Sequence, residues 1–156
     1  MGKRLGFVVY NDQKIAIENL TIKYINQKST NKKPTIVANG ESVLTEYFTD
    51  NNNDWPVGNT TDRNITVENS FYNFEHKLDK GGWAGNIPKT IDTSRDFEIK
   101  TNIKKVSGVA NYSYGLQWGK EGTNSFRFYL TGNGYYKVAR VVNNKEEVIK
   151  KFTVSS

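Results

Sequence analysis

Cysteine is absent from this chain, so neither disulfides nor thiolate metal sites contribute to its fold. Histidine occurs once, as His76, too little for a zinc site and with no partner constellation for acid–base catalysis. No apolar run approaches the length of a membrane span. The opening Met1-Gly2-Lys3-Arg4-Leu5-Gly6-Phe7 lacks a signal-peptide profile. The expectation is a chain that stays inside the cell or is a piece of something longer. Helical patterning is missing too, because no window spaces apolar residues by three and four.

What is present is strand. Phe97-Glu98-Ile99-Lys100-Thr101-Asn102-Ile103-Lys104 alternates, odd positions inward and even positions to water. Tyr112, Tyr114, Leu116 and Trp118 repeat with period two, as do Phe126, Phe128 and Leu130, and then Tyr136 and Val138. Gly132-Asn133-Gly134 and Asn143-Asn144 supply tight turns between such runs, since glycine and asparagine tolerate positive φ. Near the start, Leu5, Phe7 and Val9 alternate. Ile15 and Ile17 change parity to Leu20, Ile22 and Tyr24 across Glu18-Asn19, which predicts a bulge. At 156 residues the chain makes about one domain. The predicted class is all-β, a sandwich of two antiparallel sheets. Its core is expected to hold Phe97, Ile99, Ile103, Leu116, Trp118, Phe126, Phe128 and Val138. Two stretches read as irregular: Asn26–Asn39 as a linker and Asp79–Asp92, with Gly81-Gly82-Trp83-Ala84-Gly85, as a long loop. Trp83 there either caps an open edge of the core or offers a platform to a sugar ring.

The net charge of +6 is unevenly spread. Residues 41–96 carry ten acidic and five basic groups, whereas residues 97–156 carry ten basic and four acidic ones. Lys100 and Lys104 share one strand face, the one visible stripe for phosphate. A solvated sheet face explains it as well, and nucleic acid is not the expected partner.

The segment Tyr47-Phe48-Thr49-Asp50-Asn51-Asn52-Asn53-Asp54-Trp55 resembles the opening strand of bacterial concanavalin A-like domains. The likeness continues through Phe97-Glu98-Ile99-Lys100 and Tyr114-Gly115-Leu116-Gln117-Trp118-Gly119, then Phe126-Arg127-Phe128-Tyr129-Leu130 and Gly132–Val138. It covers roughly residues 43–151. Arg4–Tyr10 and Lys14–Ile22 resemble the strand pair that closes such a jelly roll. The organisation implied is a strand pair over residues 1–25, a linker over 26–42, and the main part of a module over 43–156. The chain is then a segment of a tandem array or a permuted module, a monomer or a strand-exchanged dimer. The last strand-pairing expectation is that residues 4–24 join the module that follows them.

Relatives of that fold include glycosidases, but retaining hydrolysis needs two carboxyl groups about 5 Å apart. Strand parity works against this: Lys100 follows Glu98 on its face, and Glu146 and Glu147 point to opposite faces. The expected role is therefore a non-catalytic binding module without an obligate cofactor. Structural calcium near Asp50 and Asp54 is the one metal considered, against the plainer reading of a turn capped by its own side chains. Aromatics make up 13% of the chain, and parity puts Arg127, Tyr129, Tyr135, Lys137 and Gln117 on one outer sheet face. Aromatic planes beside amide and cationic donors suit a carbohydrate. With Trp83 these residues form the candidate glycan site. The alternative is a structural or interaction repeat that docks a neighbouring protein domain, since the same surface suits polypeptide.

Overall fold

The computed structural model describes residues 3–28, 35–37 and 40–155, and no helix among them is long and apolar enough to cross a membrane. The strands are β1 (Lys3–Tyr10), β2 (Gln13–Tyr24), β3 (Asn26–Lys28), β4 (Thr35–Val37), β5 (Ser42–Glu46), β6 (Gly58–Asn59) and β7 (Arg63–Glu68). They continue as β8 (Phe71–His76), β9 (Gly82–Ile91), β10 (Phe97–Gly108), β11 (Ser113–Glu121), β12 (Asn124–Thr131), β13 (Tyr135–Val142) and β14 (Lys145–Val154). One sheet runs β14-β13-β12-β11-β1-β9; the other runs β10-β2-β8-β7-β6, with β5 also on β2. All pairings are antiparallel, and the two sheets pack face to face.

Turn chemistry fixes the hairpins. Asn69-Ser70 and Asn143-Asn144 adopt positive φ at both positions of two-residue loops, the geometry that matches strand twist. In β2 the register against β10 slips between Ile17 and Asn19, which makes Glu18 the extra residue of a bulge. That slip lets Ile15 and Ile17 before it, and Leu20 and Ile22 after it, all reach the core. Residues 4–24 do not form a separate unit. β1 lies between β11 and β9, and β2 between β10 and β8, so each is interior to its sheet.

Two sequence readings require correction. Asp79–Asp92 is not a loop: β9 occupies most of it, paired along β1. Its glycines and Pro88 hide the pattern, and Pro88 is tolerated because β9 is an edge strand. Within Asn26–Asn39, β3 and β4 pair as a small sheet of their own; the remainder of that linker assignment lies outside the described residues.

The core also sits elsewhere than expected. Leu5, Phe7, Ile15, Ile17, Phe48, Trp55, Tyr72 and Phe74 fill it, and Phe48 stacks on Tyr72 with centroids 5.7 Å apart. Phe97, Ile99, Ile103, Leu116 and Trp118 pack against the margin of that core half-buried, Phe128 and Val138 are half-buried, and Phe126 is 42% exposed. The reason is topological. The second sheet ends at β10, while the first continues through β12, β13 and β14, so the inward face of that continuation stays open.

Replacing Phe7 by Ala is expected to cost about 3–5 kcal/mol, the usual range for a fully buried phenylalanine. Phe126→Ala, at a half-open position, should cost roughly 1 kcal/mol or less. Urea unfolding of both variants measures this; equal losses would mean that the open face is covered in solution.

Candidate functional site

Cross-strand register builds the outer face of the first sheet in rows. Asn86, Gly6, Gln117, Arg127 and Ala139 are successive partners, and Ala84, Val8, Gly115, Tyr129 and Lys137 form the next row. The small residues in these rows leave room for long side chains to lie along the sheet. Tyr129 does so and is only 2% exposed; Gln117 is 1% exposed and donates to Asn86 Oδ1 at 2.9 Å.

A connected polar network results. Arg127 Nη1 donates to the Tyr10 hydroxyl at 2.6 Å and to that of Tyr129 at 3.2 Å. Tyr129 in turn donates to Glu146 Oε2 at 2.6 Å, and Lys137 Nζ donates to Glu146 Oε1 at 2.5 Å while lying 4.3 Å from the Tyr129 ring centre. Burial pushes the Tyr129 hydroxyl far above the ordinary phenol value, so it stays a donor. Partial burial works against ionisation of Glu146. The hydrogen bonds from Lys137 and Tyr129, and then the Lys137 and Arg127 charges, prevail and hold its carboxyl below the usual range. Gln117 Oε1, Ser125 Oγ and Arg127 Nε, all buried on this face, find no partner among the described residues.

The structure thus brings Arg127, Tyr129, Gln117 and Lys137 together, but with the Tyr129 face already occupied. Tyr135 lies apart, at the β12–β13 turn and 39% exposed. Trp83 is on the opposite face: paired with Val9, it meets Phe74 edge-on at 5.2 Å and carries the Arg63 guanidinium at 4.3 Å. It closes one end of the core and is no part of the outer face. Glu146 and Glu147 do diverge, the latter pairing with Arg140 on the inward face at 2.6 Å.

Two openings accompany this network. One, about 340 Å³, is walled by Tyr10, Asn11, Asn111, Tyr112, Tyr129, Lys137 and Glu146 at one end of the outer face. Sequence reading missed Tyr10 and Tyr112; Tyr10 was legible as the residue opposed to Phe7 and Val9 in strand parity. The other, about 1290 Å³, runs along the free edge of β10. Its inner lobe is floored by Leu116, Trp118, Phe128 and Leu130, with Ile99 and Ile103 across from them.

The turn considered for calcium is held by protein donors. Glu46 is 6% exposed and accepts from the Tyr47 and Phe48 amides at 2.8 and 2.7 Å. It also accepts from Asn53 Nδ2 and Trp55 Nε1 at 2.7 and 2.8 Å. Asp50 caps the Asn52 amide and Asn51 that of Trp55. Among the described residues no group of three or more His, Cys, Asp or Glu is placed to hold a metal ion. His76, 4% exposed, directs Nδ1 at the Asn11 and Leu78 carbonyls, which identifies the protonated nitrogen and a structural role.

Comparison with known proteins finds no matching family model, no matching curated protein and no matching solved structure.

Because the folded-state value of Glu146 is depressed, its contribution to stability is present above the ordinary Glu value of 4.5 and lost as pH falls through the lower folded value. Glu146→Gln should therefore destabilise the chain at neutral pH and converge on the wild type once the pH falls below that lowered folded value. Unfolding midpoints measured across that range provide the check, and a pH-independent gap would mean the charge is irrelevant.

Proposed function

We propose that this chain is a non-catalytic binding module whose ligand is polypeptide and whose docking surface is the groove along β10. One observation carries the reading: aromatic and aliphatic side chains that a closed sandwich would bury, Leu116, Trp118 and Phe128 among them, line an opening of about 1290 Å³, and the exposed Phe126 stacks on Trp118 beside it. A concave opening lined mainly by apolar and aromatic side chains with a few polar groups is the usual form of a binding site. The concanavalin A-like resemblance supports the same class, a sandwich that binds without catalysing. Panning displayed random peptides on the whole chain tests it. Binders that are lost in Trp118→Ala, and in the more exposed Phe126→Ser, support groove docking. A library that yields none, or only binders indifferent to both changes, overturns it.

Glycan recognition is the second reading, moved from Tyr129 to the smaller opening beside it. What favours it is the lining: Tyr10 and Tyr112 rings next to Asn11, Asn111, Lys137 and Glu146, in a volume of about 340 Å³ that suits a small polar ligand. A glycan array probed with the wild type and with Tyr112→Ala decides this. Signals that vanish in the variant support it, and a blank array removes it.

A further inference from the structure

The free edge of β10 is more than an apolar rim. Among the described residues β10 hydrogen-bonds only to β2, so along its other side alternate backbone amides and carbonyls lack a strand partner among them. Phe97–Lys105 keeps unbroken alternation; the extra residue of the β10 bulge, Val106, comes after it. Ile99 and Ile103 turn into the groove, while Lys100 and Lys104 turn to the outer lobe of the same opening. A strand laid against this edge would send every second side chain onto Leu116, Trp118 and Phe128.

Charge specifies the other half of such a strand. Lys100 has Glu98 at 3.0 Å, but Lys104 has no carboxylate within ion-pair reach among the described residues. Glu18, which also lines the opening, accepts from Asn102 Nδ2 at 3.4 Å. Lys105, at the inner end, bonds the neutral Gln13 side chain, and burial lowers its affinity for a proton. The β10 edge thus presents Lys104 without an ionic partner among the described residues, and opposite charges directly across a strand pair stabilise it.

A second copy of the chain is the obvious competitor. Antiparallel self-pairing about Thr101 would even set Glu98 against Lys104. The overhang forbids it. The first sheet continues past the β12 residues that face β10 across the opening by two more strands, about 10 Å at the usual spacing. In a twofold pair each copy would drive this projection into the space held by the other. A strand or hairpin fits above the overhang, whereas a whole sandwich does not.

We infer that the groove takes one extended segment of another protein, alternating apolar and acidic residues, which adds as a strand to β10. This rests on the polypeptide-docking reading above. The probes are three synthetic peptides as long as Phe97–Lys105: one alternating isoleucine and glutamate, one alternating isoleucine and lysine, and the first with alternate amides N-methylated. Fluorescence anisotropy with the whole chain gives affinities, and amide hydrogen exchange locates binding. The glutamate peptide should bind about five- to ten-fold more tightly than the lysine peptide, in keeping with a few exposed ion pairs. It should slow exchange at every second residue of β10. Methylation of the edge-facing amides should abolish binding, and Lys104→Glu, an exposed change that spares the fold, should reverse the charge preference. Trp118-dependent binding without β10 protection, or unaffected by methylation, overturns strand addition yet leaves groove docking standing. Failure of all three peptides, where panning has yielded groove binders, has the same meaning. A concentration-dependent dimer that Lys104→Glu disrupts would identify a second copy as the occupant and overturn the inference.

Discussion

At Asn11–Gln13 the chain leaves one sheet and enters the other, and most of the architecture is hung from that corner. Asn11 adopts φ near 60° and donates its amide to the Gly81 carbonyl, which brings β9 alongside β1. Gln13, 1% exposed, donates to the carbonyls of Tyr10 and Ser113 and accepts from Lys105, so one side chain touches β1, the start of β11 and β10. His76 fastens the same corner from β8. A buried amide that lost one of these partners would leave polar atoms unsatisfied, at roughly 1–3 kcal/mol each. Since β1 and β2 are interior strands, the other strands of both sheets take their positions from this crossing.

Glu46 organises the opposite part of the core on similar terms. Four N–H groups converge on its carboxylate, and they set the path from Tyr47 to Trp55 that lays Phe48 and Trp55 against Tyr72. A buried anion is tolerable when every lone-pair direction is met by a donor. The outer-face network follows the same logic at the surface: Glu146 accepts from Lys137 and Tyr129, and Tyr129 accepts from Arg127. What the protein has satisfied internally is poorly available to a ligand. Beside the groove the protein leaves hydrophobic area and the strand edge of β10 open among the described residues.

Local chemistry was readable in advance and tertiary cover was not. The Asn143-Asn144 turn, the bulge at Glu18 and the alternation of β10, β11 and β12 follow from φ preferences and period-two patterning, which act within a few residues. β9 escaped because Gly82, Gly85 and Pro88 give it no propensity of its own; pairing with β1 makes it a strand. Alternation also says which residues share a face but not what covers that face. Hence Tyr129, assigned correctly to the side opposite Phe128, proved the more buried of the two, and Phe126 the more exposed. Glu46 was visible as a carboxylate in phase with Leu44 and Phe48, a pattern that signals a buried, multiply bonded acid.

β14 presents Val148, Ile149, Phe152 and Val154 to solvent at the end of the first sheet, a composition prone to stacking with its own kind. Its register against β13 shifts twice, on either side of Val138, and Lys145, Lys150 and Lys151 interrupt the apolar positions. A fibril needs flat strands that repeat at one spacing with like side chains superposed. Two shifts in ten residues deny it the flatness, and superposed lysines would set like charges against one another. The irregular margin of the sheet thus keeps an otherwise sticky sequence from seeding its own polymer.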